Sequence, residues 1–194
     1  MKLKFWLENL LCRLIGRTDE DYRLTHEIDI QMGYKIINTT MRHIMAIHAV
    51  EKESFSVPWP LTSLREEIKH PQSICLVAAD DKKTILGHIM MRRVLDEGHI
   101  HNIAVAVHAR RQGVGRRLLE TAISKASAMG VTSITLEVRS QNHAAISLYE
   151  KLGFVSCGLR KNYYHKPTDD ALVMVNEVNA NTFASMVKQK IETH

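Results

Sequence analysis

The sequence predicts a single α/β domain, a mixed central sheet flanked by helices, with an extra amphipathic helix at its N-terminus. Three observations carry this expectation. Apolar, β-prone runs crowd residues 73–107, the apolar period becomes helical between Gly113 and Gly130, and residues 133–139 alternate strictly. A chain of 194 residues has room for one buried core of ordinary size. With 45% hydrophobic and 24% charged residues, wholesale disorder, collagen and coiled coil are excluded. No apolar run approaches the ~20 residues of a membrane span. Cys12, Cys75 and Cys157 are odd in number, widely spaced and without a C-x-x-C pair. They argue against a disulfide framework or zinc ribbon and fit a reducing cytoplasm.

The elements follow in order. In residues 1–17, Leu3, Trp6, Leu7, Leu10, Leu11, Leu14 and Ile15 share one half of a helical wheel, and Glu8 and Arg13 interrupt what would otherwise be a secretory core. Such a helix suits packing on the domain or on a second subunit, docking to a partner, or lying on a membrane surface. Residues 16–33 form a polar connection, so 1–33 is an extension, 34–176 the domain and 177–194 a tail with helical potential. Within the domain, 34–39 reads as a strand and 41–54 as a helix, while Pro58 and Pro60 place Trp59 in a loop. Ser63 and Glu66 form a capping box for a short helix ending before Pro71. Residues 73–79 and 84–93 make a hairpin, and 99–107 a further strand. Val114, Leu118, Leu119, Ala122, Ile123, Ala126 and Met129 define a helix that Gly130 ends. In 133–139, Ile134, Leu136 and Val138 face one side, and Thr135, Glu137 and Arg139 the other. Asn142 caps a helix that stops at Gly153, and two strands, 154–160 and 170–176, close the domain.

Three groups of residues carry chemistry. Arg110-Arg111-Gln112-Gly113-Val114-Gly115-Arg116 joins a strand to a helix. Free N–H groups and the positive end of the helix dipole, approached through glycines, suit an anion. The spacing is neither that of a Walker A loop nor G-x-G-x-x-G, since Leu118 stands where the third glycine would fall. The chain's charge of +5 is otherwise dispersed, so a small phosphate-bearing molecule is expected rather than a nucleic acid. Glu137 points away from its apolar strand neighbours; in a partly desolvated cleft it would be a base, on an open sheet face an ordinary surface carboxylate. Asn142 and Tyr149 lie on one helix face, two turns apart. The phenol suits proton donation to a leaving group, or a place in the core. His99 and His101 share a strand face as half of a metal site, but no carboxylate or cysteine at ligand spacing completes it, and no metal is expected.

In this order the three signals resemble the GNAT family of N-acetyltransferases and, within it, the RimI-type ribosomal-protein alanine N-acetyltransferases. The resemblance runs from about Tyr34 to about Val175. Arg110 to Gly115 match the family's [QR]-x-x-G-x-[GA] loop, and N-I-A-V from Asn102, L-E-V-R from Leu136, N-x-x-A-I-x-L-Y-E-K-L-G-F from Asn142 and N-Y-Y from Asn162 follow in register. It implies acetyl-CoA as co-substrate. The strand through Ile103, Ala104 and Val105 would take the pantetheine arm, Arg110, Arg111, Gln112, Gly113, Val114, Gly115 and Arg116 would hold the pyrophosphate, and Asn142 would touch the same molecule. It further implies Glu137 as general base, Tyr149 as general acid, and Trp59, Tyr163 and Tyr164 as walls of the acceptor groove. Ala106 departs from the pattern, in which relatives often carry an acidic residue followed by proline; it precedes the phosphate loop and leaves that loop intact.

The expected reaction is acetyl transfer to a protein's N-terminal α-amine, a ribosomal-protein alanine being the acceptor the resemblance implies. An α-amine has a pKa of ~7.7–8.0 and a lysine ~10.4, so deprotonating a lysine near neutrality costs roughly 3.5 kcal/mol more. Acetylation of lysines or small amines is the alternative, and a non-catalytic acyl-CoA-binding module is the alternative of another class.

Overall fold

The computed structural model describes residues 33–178. The helix expected within 1–17 and the helical turns expected after Asn181 lie outside the described residues. The described chain runs β1 (Tyr34–Asn38), a 3-10 turn (Met41–His43), α1 (Ile44–Ser54), α2 (Leu61–Lys69), β2 (Ser73–Asp80), β3 (Ile85–Val94), β4 (Glu97–Val105), a second 3-10 turn (Val107–Ala109), α3 (Val114–Ala128), β5 (Ser133–Arg139), α4 (His143–Lys151), β6 (Val155–His165) and β7 (Thr168–Glu177). The strands form one sheet in the order β1-β2-β3-β4-β5-β7-β6, antiparallel except for β4 and β5, which α3 connects as a parallel crossover.

Helices cover both faces of the sheet, which explains why β2 and β3 read as continuous apolar runs rather than alternating ones. Leu76, Ala78, Ile89 and Met91 join the larger core with Leu118, Leu119, Ala122 and Ile123 of α3. Their neighbours Val77, Ala79 and Met90 pack on the other face against Ile44 and Ile47 of α1 and Leu64 of α2. On β5 only Ile134, Leu136 and Val138 enter the core, which leaves Thr135, Glu137 and Arg139 on the face shared with α1 and α2. No helix among the described residues is long and apolar enough to cross a membrane.

Two irregularities shape the site. Met90 faces Asn102 but Met91 faces Ile100, so His101 is the extra residue of a bulge in β4. The parallel pairing of β4 with β5 runs only from Glu97↔Ser133 to Ile100↔Leu136. Beyond Ile100 and Leu136 the strands part, while β5 stays paired with β7 to Arg139. The Ala106 N–H donates to Leu86 of the preceding hairpin strand at 2.9 Å. The alternation of the ladder therefore turns the backbone groups of Val105 and Ile103 away from β3, into the split.

Two expectations need correction. The capping box at Ser63 and Glu66 does not open the second helix: α2 starts at Leu61 behind Pro60 as N-cap, and Ser63 lies inside the helix. The Trp59 N–H just before it is bound by the Glu51 carboxylate at 2.9 Å, which sets where the loop ends. The closing strands are also longer than expected, 155–165 and 168–177 rather than 154–160 and 170–176. They form one hairpin whose register slips between Arg160↔Ala171 and Tyr164↔Asp169, and the Asp170 carboxylate accepts from the Asn162 N–H there at 2.8 Å.

Candidate active site

The phosphate-loop residues sit where β4 ends and α3 begins. Gly113 is the N-cap of α3 at φ +81°, with no side chain bonded to the first-turn N–H groups, and Arg111 also has positive φ, +63°. Tight turns of this kind direct backbone N–H groups into a concavity, and the free N–H groups of the first turn add to it. A Cβ on Gly115 would meet Val105 Cγ2 at 3.4 Å and Leu148 Cδ2 at 3.5 Å, so the start of α3 lies between the end of β4 and α4. Three of the loop's side chains are engaged locally. Arg110 Nε donates to the Val105 carbonyl at 3.1 Å, Gln112 Nε2 to the His108 carbonyl at 2.9 Å, and Arg116 pairs with Glu120 at 2.8 Å. An anion here would be held by backbone N–H groups.

Asn142 is the N-cap of α4, its Oδ1 accepting from the Ala145 N–H at 3.2 Å. It also lines a hollow with Arg139, Gln141 and the 167–169 turn. Tyr149 on α4 is buried, 5.8 Å from the Phe154 ring. Burial, and secondarily the neighbouring Tyr164, raises its pKa well above the ordinary tyrosine value, so its hydroxyl stays protonated.

On the α1–α2 face, Trp59, His99, Ile100, His101, Glu137, Tyr163 and Tyr164 line a cleft of about 400 Å³. Four residues named from the sequence, Glu137, Trp59, Tyr163 and Tyr164, meet in it. One wall is the loop between α1 and α2, held by Glu51, which also stands 2.9 Å from the fully buried His88. The other wall is the β6–β7 hairpin, and Ser56 Oγ donates to the Lys166 carbonyl, joining the two walls.

The Glu137 side chain is only 10% exposed and lies on the cleft floor, Oε1 3.1 Å from Arg160 Nη1 and Oε2 3.0 Å from His99 Nε2. Tyr164 donates its hydroxyl to the Glu137 carbonyl at 3.4 Å, and the Arg139 guanidinium lies 4.2 Å from its ring centre. Burial, and then the neighbouring Tyr163, pushes the Tyr164 phenol up to about 12. His99 and His101 do not face a common centre. Their rings meet edge to face at 5.0 Å, His99 turned to Glu137 and His101 toward buried Glu67 at 3.6 Å. Among the described residues no group of three or more His, Cys, Asp or Glu is arranged to hold a metal.

Sequence reasoning missed Glu67, which binds Arg92 and Ser73 beneath His101, and the contact between His99 and Glu137. The only signal was the strand-face pairing of the two histidines, weighed only as half of a metal site and set aside.

A split between parallel strands, a helix start with free N–H groups beside it and a carboxylate on the floor of the adjoining cleft form the frame of an acyltransferase. The family model of the Acetyltransferase (GNAT) family matches residues 44–154, and the chain belongs to that family. It is 33% identical over 143 residues to a protein of Bacillus subtilis (strain 168) named putative [ribosomal protein bS18]-alanine N-acetyltransferase, across 73% of this chain and 94% of that one. It is 36% identical over 143 residues to the [ribosomal protein bS18]-alanine N-acetyltransferase of Salmonella typhimurium, across 72% and 93%. The crystal structure of the ribosomal-protein-S18-alanine N-acetyltransferase from Escherichia coli superposes with a TM-score of 0.71 at 31% identity, covering 75% of this chain and 94% of that one. The chain is an N-acetyltransferase of the GNAT family.

Proposed function

We propose that this chain transfers the acetyl group of acetyl-CoA to the N-terminal α-amine of a protein, with a ribosomal-protein N-terminal alanine as the acceptor supported by its relatives' names. The observation that carries the reading is the shielded Glu137 carboxylate, on the floor of an aromatic-walled cleft beside the split between β4 and β5. The residues present fit acetyl-CoA: the split leaves backbone groups of Ile103 and Val105 turned outward for an amide-bearing arm, and the start of α3 offers free N–H groups to a pyrophosphate. When bound, acetyl-CoA supplies the activated acetyl thioester.

An ammonium has no lone pair with which to attack. Glu137 attracts the protonated α-amine into the cleft and takes one proton from it, directly or through a water, which leaves a neutral amine. Trp59 and Tyr163 contact the acceptor chain, and Tyr164 supports the backbone of Glu137. The neutral amine attacks the thioester carbonyl carbon and the C–S bond breaks; the protonated Tyr149 hydroxyl gives its proton to the departing thiolate, and the nitrogen's second proton leaves through water to restore the phenol. The transfer is direct, with no covalent bond to the enzyme.

Thiol release from acetyl-CoA against peptides beginning with Ala, Ser, Thr or Met, each with free and blocked N-termini, plus one peptide with internal lysines only, tests the reading. Turnover confined to free N-termini, highest with alanine, is expected. Turnover on blocked, lysine-bearing peptides overturns it. Glu137→Gln is expected to lower kcat about 100-fold while leaving acetyl-CoA affinity unchanged.

A further inference from the structure

His99 stands at the vertex of the split. It is the register partner of Thr135, one residue before the last pair that joins β4 to β5, so both strands fix its backbone. Both ring nitrogens have a neighbour there: Nδ1 lies 2.9 Å from Thr135 Oγ1, and Nε2 lies 3.0 Å from Glu137 Oε2. The imidazole is 38% exposed and the carboxylate beneath it 10%, so the ring exchanges protons with water more readily than the base it touches.

We infer that His99 is a positioning residue of the transfer reaction, which aims the Glu137 carboxylate through Nε2 and, when protonated, silences it. The inference rests on the role proposed for Glu137. With a neutral ring, the Thr135 hydroxyl donates to Nδ1, which puts the ring's single hydrogen on Nε2, facing Oε2. Arg160 meets the other oxygen. The carboxylate is thus held at both oxygens, with lone pairs left for the acceptor's proton.

A protonated ring needs no displacement of heavy atoms. Nδ1–H donates to Thr135 Oγ1, and the threonine hydroxyl turns to the Gly98 carbonyl, 3.4 Å away. The carboxylate then has full positive charges on both sides, imidazolium and guanidinium, and its affinity for a further proton falls.

The other groups around the ring are already engaged. His101, edge-on at 5.0 Å, has its pKa lowered by burial and is turned toward Glu67. Glu67 beyond it is paired with Arg92, and Tyr164 on β6 stays protonated. Protonation of the ring should therefore lower activity, and the acid limb of the pH profile should carry that contribution.

The test measures kcat at saturating acceptor against pH, in the full chain, with an alanine-initial peptide. Acceptor ionisation is common to all variants and drops out of the comparison. His99→Ala is expected to lower kcat about 10-fold or more with an unchanged KM for acetyl-CoA. His99→Gln, whose amide N–H reaches the same oxygen but does not titrate, is expected to recover most of kcat and to flatten the acid limb. A merely structural histidine would not move that limb. Wild-type kcat in His99→Ala, or an unaltered acid limb in His99→Gln, overturns the inference. Glu137→Gln run alongside separates the failures: if it is slow while His99→Ala is normal, only the role of His99 falls, and if it is fully active the role of Glu137 falls first.

Discussion

At the scale of the residue, the chemistry depends on proton inventories set by burial. Tyr149 is buried and its pKa is raised, so its hydroxyl is a donor throughout the working range. Tyr149→Phe should keep the fold and lower kcat by about 10- to 100-fold, measured by thiol release. The same shift fixes a stability trend. A folded-state pKa above the unfolded value of ~10 adds stability that is complete below pH ~10 and is lost as pH rises further. Urea midpoints should therefore fall above pH ~10, less steeply in Tyr149→Phe. Glu137 and Tyr149 were legible as candidates because each stands in a local pattern, a strand alternation and a helix face. The partners of Glu137 were not legible. His99 reaches it across a parallel pair 38 residues apart in the chain, and Arg160 from a further strand, so the contacts exist only once the sheet's order is set.

At the scale of the element, local signals held where one residue decides the outcome. Asn142 caps α4, and β5 alternates as read. They failed where a neighbour outside the element decides: Glu51, from α1, pins the Trp59 N–H and so fixes the loop ahead of α2, whatever the hydroxyl of Ser63 offers. Glu51→Ala should therefore loosen one wall of the cleft. It leaves the half-buried Trp59 N–H without its charged acceptor, a loss of about 1–3 kcal/mol, and acceptor KM should rise more than acetyl-CoA KM. The packing of α3 on the sheet depends on a missing side chain. A Cβ on Gly87 would lie 2.8 Å from the Ala104 carbonyl and 3.2 Å from Val114 Cγ1. Gly87→Ala should push α3 away at a cost of about 1–3 kcal/mol, visible as a lower Tm and weaker acetyl-CoA binding together.

At the scale of the molecule, about 72–73% of this chain aligns with 93–94% of its bS18-alanine N-acetyltransferase relatives, so about a quarter of it lies outside the shared stretch. A chain lacking residues 1–33 should keep acetyl-CoA affinity and peptide turnover, measured by calorimetry and thiol release. A change in sedimentation alone would assign the extension to assembly. The fold class was legible because length, period changes and the order of elements are properties of the whole sequence. The split that makes the fold an enzyme was not, because a strand pair that stops halfway leaves no mark on either strand's own pattern.

That interrupted pairing has a kinetic consequence. Ile103 and Val105 carry backbone groups that β5 never meets, so in the free enzyme their amides should exchange with deuterium far faster than those of Gly98 or Ile100 on the same strand. Acetyl-CoA lying in the gap would act as a short substitute strand, slowing exchange at Ile103 and Val105 and completing the boundary of the acceptor cleft. The two substrates should then add in compulsory order, acetyl-CoA before the amine, and a dead-end thioester analogue should compete with acetyl-CoA but not with the peptide.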